Sequence, residues 1–348
     1  MNAQRSSDSV PVSSWRSARL FVTDEFAAPP VILRVNDSVI GTLGNFSAST
    51  GKAKSKKTFN VCAIVAAAMT GGTVLNYSAS LPPERRRVLY VDTEQSRFHC
   101  KRVLCRILRL AGLPTDAHPP LLEFLCLRGY ATKERLRKIE EAIYDLDDLG
   151  LVVIDGIRDL AHDINSPGEA TDLITKLMQW TDERRIHIHT VLHLNKGDDN
   201  TRGHLGTELN NKAETVLQIT KDDFDRDISS VAAMHIRDRD FEPFAFRINA
   251  DALPEQVEDY QLRQTTAAKS FDYAEVCEAK HREALELLFS EADRVSYSSL
   301  IGRLQSSYAA IGHSFGINKA KQLKVFLENK RMIVKEDKFY RYNPDFHY

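Results

Sequence analysis

Residues 44–59 read GNFSASTGKAKSKKTF, and the spacing inside this stretch decides the architecture of most of the chain. Gly51 is followed, after four residues, by Lys56, Lys57 and Thr58, one glycine short of the Gly-x4-Gly-Lys-Ser/Thr pattern that wraps a polyphosphate. Such a P-loop needs amides that cradle phosphates, an ammonium at the β/γ-phosphates, a hydroxyl for Mg2+ and a helix N-terminus aimed at the anion. Lys57, Thr58 and the apolar helix expected from Phe59 meet the last three demands, and Gly51, Lys52, Ala53, Lys54, Ser55 and Lys56 form the loop. The other register puts Gly51 and Lys52 in the Gly-Lys slot, but it leaves Phe46 in place of the first glycine and Ala53 in place of the hydroxyl. Lys56 costs about 1 kcal/mol if the loop demands a left-handed backbone there, and its charge favours a triphosphate. The plainer alternative for the whole stretch is a basic surface loop.

Working outward, three apolar runs end in polar groups suited to nucleotide hydrolysis. VLYV (88–91) leads into Asp92, Thr93 and Glu94; LVVI (151–154) into Asp155 and Gly156; HTVLHL (189–194) into Asn195 and Lys196. Ligands of open parallel sheets bind outside the carboxyl ends of the strands, so these positions converge on the loop. Asp155 suits a Walker B acid holding Mg2+ with Thr58, Glu94 suits the group that polarises the attacking water, and His193 with Asn195 suits a γ-phosphate sensor. Each has a plainer reading: an Asp-Gly turn, a helix-capping acid, loop polarity. The set, in this order around one loop, points to nucleotide hydrolysis. His187, His189 and His193 share strand parity, but no carboxylate or cysteine at ligand spacing completes a metal site with them.

Strand candidates at 88–91, 121–127, 151–154, 186–194 and 215–219 alternate with helical patterns, which predicts a mostly parallel α/β sheet covered on both faces. Before them a hairpin, VILRV (31–35) and SVIGTLG (38–44), leads to the phosphate loop. Over 95–112, Phe98, Leu104, Ile107, Leu108 and Ala111 define an apolar helix face, while Arg97, Lys101, Arg102, Arg106 and Arg109 read as a solvated face rather than a nucleic-acid contact. Residues 250–272 are polar and aperiodic, as in a linker. The expected domains are an N-terminal segment (1–29) that is frayed to about residue 16, an ATPase core (30–250), the linker (251–272) and a small C-terminal domain (273–348).

The motifs GNFSASTGKAKSKKTF (44–59), VLYVDTEQS (88–96) and LVVIDGIRDL (151–160) resemble those of RecA-like P-loop ATPases, especially plasmid RepA-like hexameric and mobile-element AAA-family ATPases. The resemblance covers about residues 30–250. It implies a RecA-like P-loop NTPase fold and ATP with Mg2+ as ligands. Lys57 and Thr58 become the phosphate and metal residues, Glu94 the catalytic base, Asp155 the Walker B acid, and His193, Asn195 and Lys196 the sensor segment. It further implies that 195–209, which contains Arg202, is a loop facing DNA in a central channel. Arg237 and Arg239 then resemble an arginine finger reaching a neighbour's nucleotide; the alternative is that they pair with Asp238 and Asp240 on an exposed strand end. The expected assembly is a homo-hexamer.

Composition agrees with two soluble domains: 348 residues, 43% hydrophobic and 27% charged, with net charge −1. The five cysteines form no CxxC pair, which suits a reducing cytoplasm, and neither a membrane span nor a signal-peptide core is evident. The neutral sum hides a basic C-terminus: from Ile311 to Arg341 there are eight Lys and Arg residues against three acidic ones. Three helical patterns (279–292, 296–312, 317–330) and a hairpin (332–342) describe a winged helix-turn-helix. Lys319, Lys321 and Lys324 would lie on its recognition helix and Lys335 and Lys338 on its wing, placed for DNA phosphates. A protein-docking role is the alternative.

Overall fold

Strands and helices alternate from residue 87 to residue 221 in the computed structural model. It describes residues 15–194, 203–222, 225–258, 260, 273 and 276–346. Residues 1–14 of the segment expected to fray, the candidates Asn195, Lys196 and Arg202, and most of the expected linker lie outside the described residues. The chain divides into two compact units, 1–262 and 263–348.

The first unit runs β1 (Val31–Val35), β2 (Ser38–Thr42), β3 (Phe46–Gly51), α1 (Lys57–Thr70), β4 (Thr73–Val74), β5 (Tyr77–Ala79), β6 (Arg87–Asp92), α2 (Arg97–Leu110), β7 (Leu122–Cys126), α3 (Thr132–Asp145), β8 (Leu149–Asp155), α4 (Pro167–Arg184), β9 (His187–His193), α5 (Gly203–Lys212), β10 (Thr215–Lys221), β11 (Ile228–Ile236), β12 (Phe244–Ile248) and β13 (Pro254–Val257). Nine of these strands form one sheet in the order β13-β12-β11-β10-β3-β9-β8-β6-β7. The six from β10 to β7 are parallel, and β11 to β13 continue antiparallel. This is a mixed α/β fold with a large, mostly parallel sheet. Period-two alternation feeds two cores: Val88, Tyr90, Leu151 and Val153 pack with α1 and α2, whereas Leu89, Val91, Val152 and Ile154 pack with α3, α4 and α5.

The central strand β3 has no counterpart among the apolar runs. Its sequence, FSASTG, is polar, yet every residue is buried. Hydrogen bonds explain this: Ser47 Oγ lies 2.7 Å from His187 Nε2 and 2.8 Å from His189 Nδ1, and Ser49 Oγ lies 2.8 Å from His189 Nε2. His187 Nδ1 is 2.8 Å from the carbonyl of Thr42. The two histidines that suggested a metal thus form a hydroxyl-imidazole ladder between β3 and β9.

Four further expectations are corrected. Residues 203–209 are not loop but the start of α5, because Leu205 and Leu209 bury against the core. The aperiodic stretch after 250 begins with the edge strand β13, held by main-chain pairing to β12 rather than by apolar side chains. On α2, Phe98 faces outward at 69% exposure, while Arg106 is buried beneath Phe59 with its guanidinium 3.7 Å from the ring centroid. The run VAAMHIRDRDFEPFAFRIN (231–249), expected from its sequence to be one strand ending with Arg237 and Arg239, is two strands, with both arginines in the turn between β11 and β12.

The second unit comprises α6 (Glu278–Phe289), β14 (Val295–Ser296), α7 (Tyr297–Ala310), α8 (Ile317–Asn329), β15 (Ile333–Glu336) and β16 (Phe339–Tyr342), with an antiparallel sheet in the order β14-β16-β15. Leu285, Leu300, Leu304, Tyr308, Leu323 and Leu327 form its core.

Burial pushes the His189 imidazole down to about 3. The unfolded ring takes a proton below about pH 6.5 that the folded ring refuses, so stability is complete above that pH and falls as pH drops through it. His189 alone should remove about 2 kcal/mol of unfolding free energy between about pH 7 and 5. Denaturant melts of the wild type should show this slope, and His189→Gln should flatten it.

Candidate functional site

The register of the parallel strands brings their carboxyl ends together: Gly51 pairs with His193, and Asp92 with Asp155. A cleft of about 350 Å³ opens there, bordered by the loop 54–59, Asp92, Glu94, Asp155 and His193. Gly51 enters the loop where a Cβ would come within 2.3 Å of the Ile219 carbonyl and 2.5 Å of Ser55 Oγ, so only glycine fits. Lys54 and Lys56 both have positive φ, 66° and 67°. The position that lacks its glycine therefore does adopt the left-handed backbone, and Lys56 caps α1 there. Its ammonium is held by the Asp227 carbonyl in the β10–β11 turn, so it is tethered beside the loop rather than projecting over it.

Lys57 Nζ donates to the carbonyls of Gly51 (2.7 Å) and Lys52 (2.9 Å), folding back across the loop. Burial lowers it to about 8, opposed by the charges of Asp155 and Glu94. Thr58 Oγ1 donates to Asp155 Oδ2 at 2.9 Å. The same carboxylate oxygen accepts from Tyr90 OH at 2.9 Å. Burial, reinforced by the charge of Asp92, pushes Asp155 up to about 6. Asp92 accepts from the amides of Glu94 and Gln95 and from Gln95 Nε2, shaping the turn that presents Glu94. Glu94 Oε1 lies 3.6 Å from His193 Nε2, and that contact is the chief reason its carboxyl sits below the usual range. Gly156, at φ 103°, lets the chain turn under Thr93, whose Oγ1 a Cβ would meet at 2.2 Å.

Two buried polar atoms bordering this cleft, Ser55 Oγ and His193 Nδ1, have no hydrogen-bond partner among the described residues. The first amides of α1 likewise have no intrahelical acceptor. Orphaned donors, a helix N-terminus and a hydroxyl-carboxylate pair suit a phosphate chain with a divalent cation, which Thr58 and Asp155 would hold.

A family model described as AAA domain matches residues 16–199. The chain belongs to the AAA domain family. The match takes in the loop, Glu94, Asp155 and His193. Among solved structures, the crystal structure of the RadB recombinase is similar at 16% identity, covering 62% of this chain and 92% of that chain, with a TM-score of 0.44. No curated protein matches the chain.

The other expected residues of this AAA domain protein are placed elsewhere. Arg237 and Arg239 are exposed beyond the end of β11 that pairs with the start of β10, opposite the P-loop end of the sheet. Asp238 is engaged by the Val39 amide at 2.8 Å and Asp240 by the Phe241 amide, so neither expected Arg-Asp pair forms among the described residues. In the second unit, Lys321, Lys335 and Lys338 are exposed. Lys319 lies 4.8 Å over the Tyr273 ring, and Lys324 pairs with Glu328 and sits over Tyr340, so these two are partly withdrawn. Sequence reasoning missed Tyr90 and Arg106, because each occupies a position that its pattern assigns to core or to solvent.

Nucleotide affinity in Mg2+ should fall as pH drops below about 6, where Asp155 takes up a proton, while affinity in EDTA should not follow it. Tyr90→Phe removes a hydrogen bond that favours the carboxylate and should move that midpoint up by about one unit; fluorescent-nucleotide titrations across pH measure both.

Proposed function

We propose that the chain is an ATP-hydrolysing DNA motor or helicase of RecA/RepA-like type, assembling as a homo-hexamer and serving replication or transfer of a mobile element. The observation that carries this reading is the Thr58–Asp155 bond beside Lys57, with Glu94 across the same cleft. Lys57 exchanges the loop carbonyls for the β- and γ-phosphates, a replacement of neutral by charged acceptors. Glu94, kept ionised by His193, accepts the proton of the attacking water. His193, whose other ring nitrogen has no partner among the described residues, links that carboxylate to the terminal phosphate. Thr58 and Asp155 would hold Mg2+, which would supply charge neutralisation on the phosphates. Asn195 and Lys196 extend the sensor segment, and Arg202 belongs to the channel-facing stretch. Since Arg237 and Arg239 sit away from their own cleft, they serve a neighbour's nucleotide.

The second unit, with three helices and a three-stranded antiparallel sheet, suits a winged helix whose Lys321, Lys335 and Lys338 meet duplex phosphates. Lys319 and Lys324, engaged with aromatic rings, contribute less than the sequence suggests. A second reading is an ATP-switched DNA-binding regulator without helicase activity, favoured by Lys56 in the slot that the loop pattern gives to glycine.

ATP hydrolysis should require Mg2+, and Lys57→Ala should lower kcat/KM by at least about a hundredfold, in the range of losing a transition-state charge contact. Glu94→Gln should abolish turnover but keep nucleotide binding. Stimulation by single-stranded DNA together with a hexameric mass supports the motor. Duplex binding with tight ATP binding and no strand separation supports the regulator. Unchanged hydrolysis in Lys57→Ala would sink the catalytic assignment.

A further inference from the structure

Helix α2 carries Arg97, Lys101, Arg102, Arg106 and Arg109 and no acidic residue. Several surface cations elsewhere on this domain pair with acids: Arg87 with Asp148 and Glu123, Arg137 with Glu141, Lys176 with Glu140. On α2, none of Arg97, Lys101, Arg102 and Arg109 makes an ion pair among the described residues. The spacing of Phe98, Lys101, Arg102, Cys105 and Arg109 puts them on one face over about 16 Å. They form one wall of a groove of about 450 Å³ whose other wall is the turn Asp251–Leu253. Phe98, 69% exposed, stands at the mouth of this cationic face, and Asp251 is the one carboxylate of the lining. Arg106 fixes the groove's floor by donating to the Ala252 carbonyl at 3.0 Å.

We infer that this α2 groove binds single-stranded nucleic acid, with phosphates on Lys101, Arg102 and Arg109 and an unstacked base on Phe98. This rests on the DNA-associated part of the reading above and adds a site apart from both the channel segment and the second unit. Unpaired cations flanking an exposed ring are the two elements of a strand-binding platform, electrostatic tracking and base stacking. A duplex fits less well, because its base faces are covered. An acidic surface of a second copy also fits less well: in the acidic β10–β11 turn, Asp222 and Asp225 already accept from Tyr260 OH and from backbone amides. Arg102 borders both the groove and the nucleotide cleft, so strand and nucleotide meet a shared side chain.

The test is fluorescence anisotropy with a labelled oligothymidylate of about 20 nucleotides, using the full chain. Lys101→Glu with Arg109→Glu should weaken binding about tenfold or more and flatten the salt dependence; Phe98→Ala should weaken it about fivefold at unchanged salt slope. ATP hydrolysis without DNA should stay at the wild-type rate in these variants. Lys321→Glu with Lys335→Glu in the second unit should weaken duplex binding and leave the oligothymidylate untouched. Wild-type affinity in the α2 double variant overturns the inference while the DNA reading stands. A change of particle mass without loss of oligonucleotide affinity overturns it in favour of a protein contact. Failure of the wild type to bind any DNA removes the DNA reading itself, and this site with it.

Discussion

Burying the hydroxyls of Ser47 and Ser49 at the centre of the sheet is tolerable because the imidazoles of His187 and His189 complete their hydrogen bonds from the adjacent strand. That ladder sets β3 against β9 in register, and the register puts Gly51 beside His193. From Gly51 the loop enters under the Ile219 carbonyl, with no room for a side chain. The position of Lys57, Thr58 and the N-terminus of α1 therefore follows from a polar strand that no hydrophobic pattern would select.

Electrostatics in the cleft follow from crowding. Asp92, Glu94 and Asp155 approach one another at the ends of adjacent strands, and each is held differently: Asp92 by amides and Gln95, Glu94 by His193, Asp155 by Thr58 and Tyr90. The buried Asp155 has its carboxyl raised, while Glu94, paired with an imidazole, has its carboxyl lowered. Opposite shifts on neighbouring carboxyls suit a division of labour between a metal-holding acid and a base that stays ionised. Lys57, itself lowered by burial, supplies the opposing charge.

Much of the fold was legible because burial on both faces leaves near-continuous apolar runs at β6, β8, β9 and β10. Their polar ends, Glu94, Asp155 and His193, were legible for the same reason: an abrupt change from apolar to polar marks where a strand leaves the core. Legibility failed where burial is achieved by hydrogen bonding, as in β3, or by stacking, as in Arg106 over Phe59, which placed a guanidinium inside and left Phe98 outside. It failed again at β13, whose pairing uses main-chain groups common to every sequence, and at α5, whose short apolar stripe follows a glycine-rich entry. On α8, spacing placed three lysines on a helix expected to face DNA, but neighbouring rings and Glu328 draw two of them back.

The sequence by itself determined the phosphate loop, its Lys57 and Thr58, the acids that follow two apolar runs, and a basic C-terminal segment, because these depend on spacing along one chain. The strained backbone at Lys56 was anticipated the same way, from the missing glycine. Tertiary structure alone decided the neighbours: which strand lies beside β3, which hydroxyl holds Asp155, which nitrogen of His193 meets Glu94, and that the cations of α2 line a groove instead of dispersing into solvent. Those outcomes depend on contacts between segments distant in sequence. A hydrogen bond across some 65 residues, such as Tyr90 to Asp155, leaves no periodic trace in either partner.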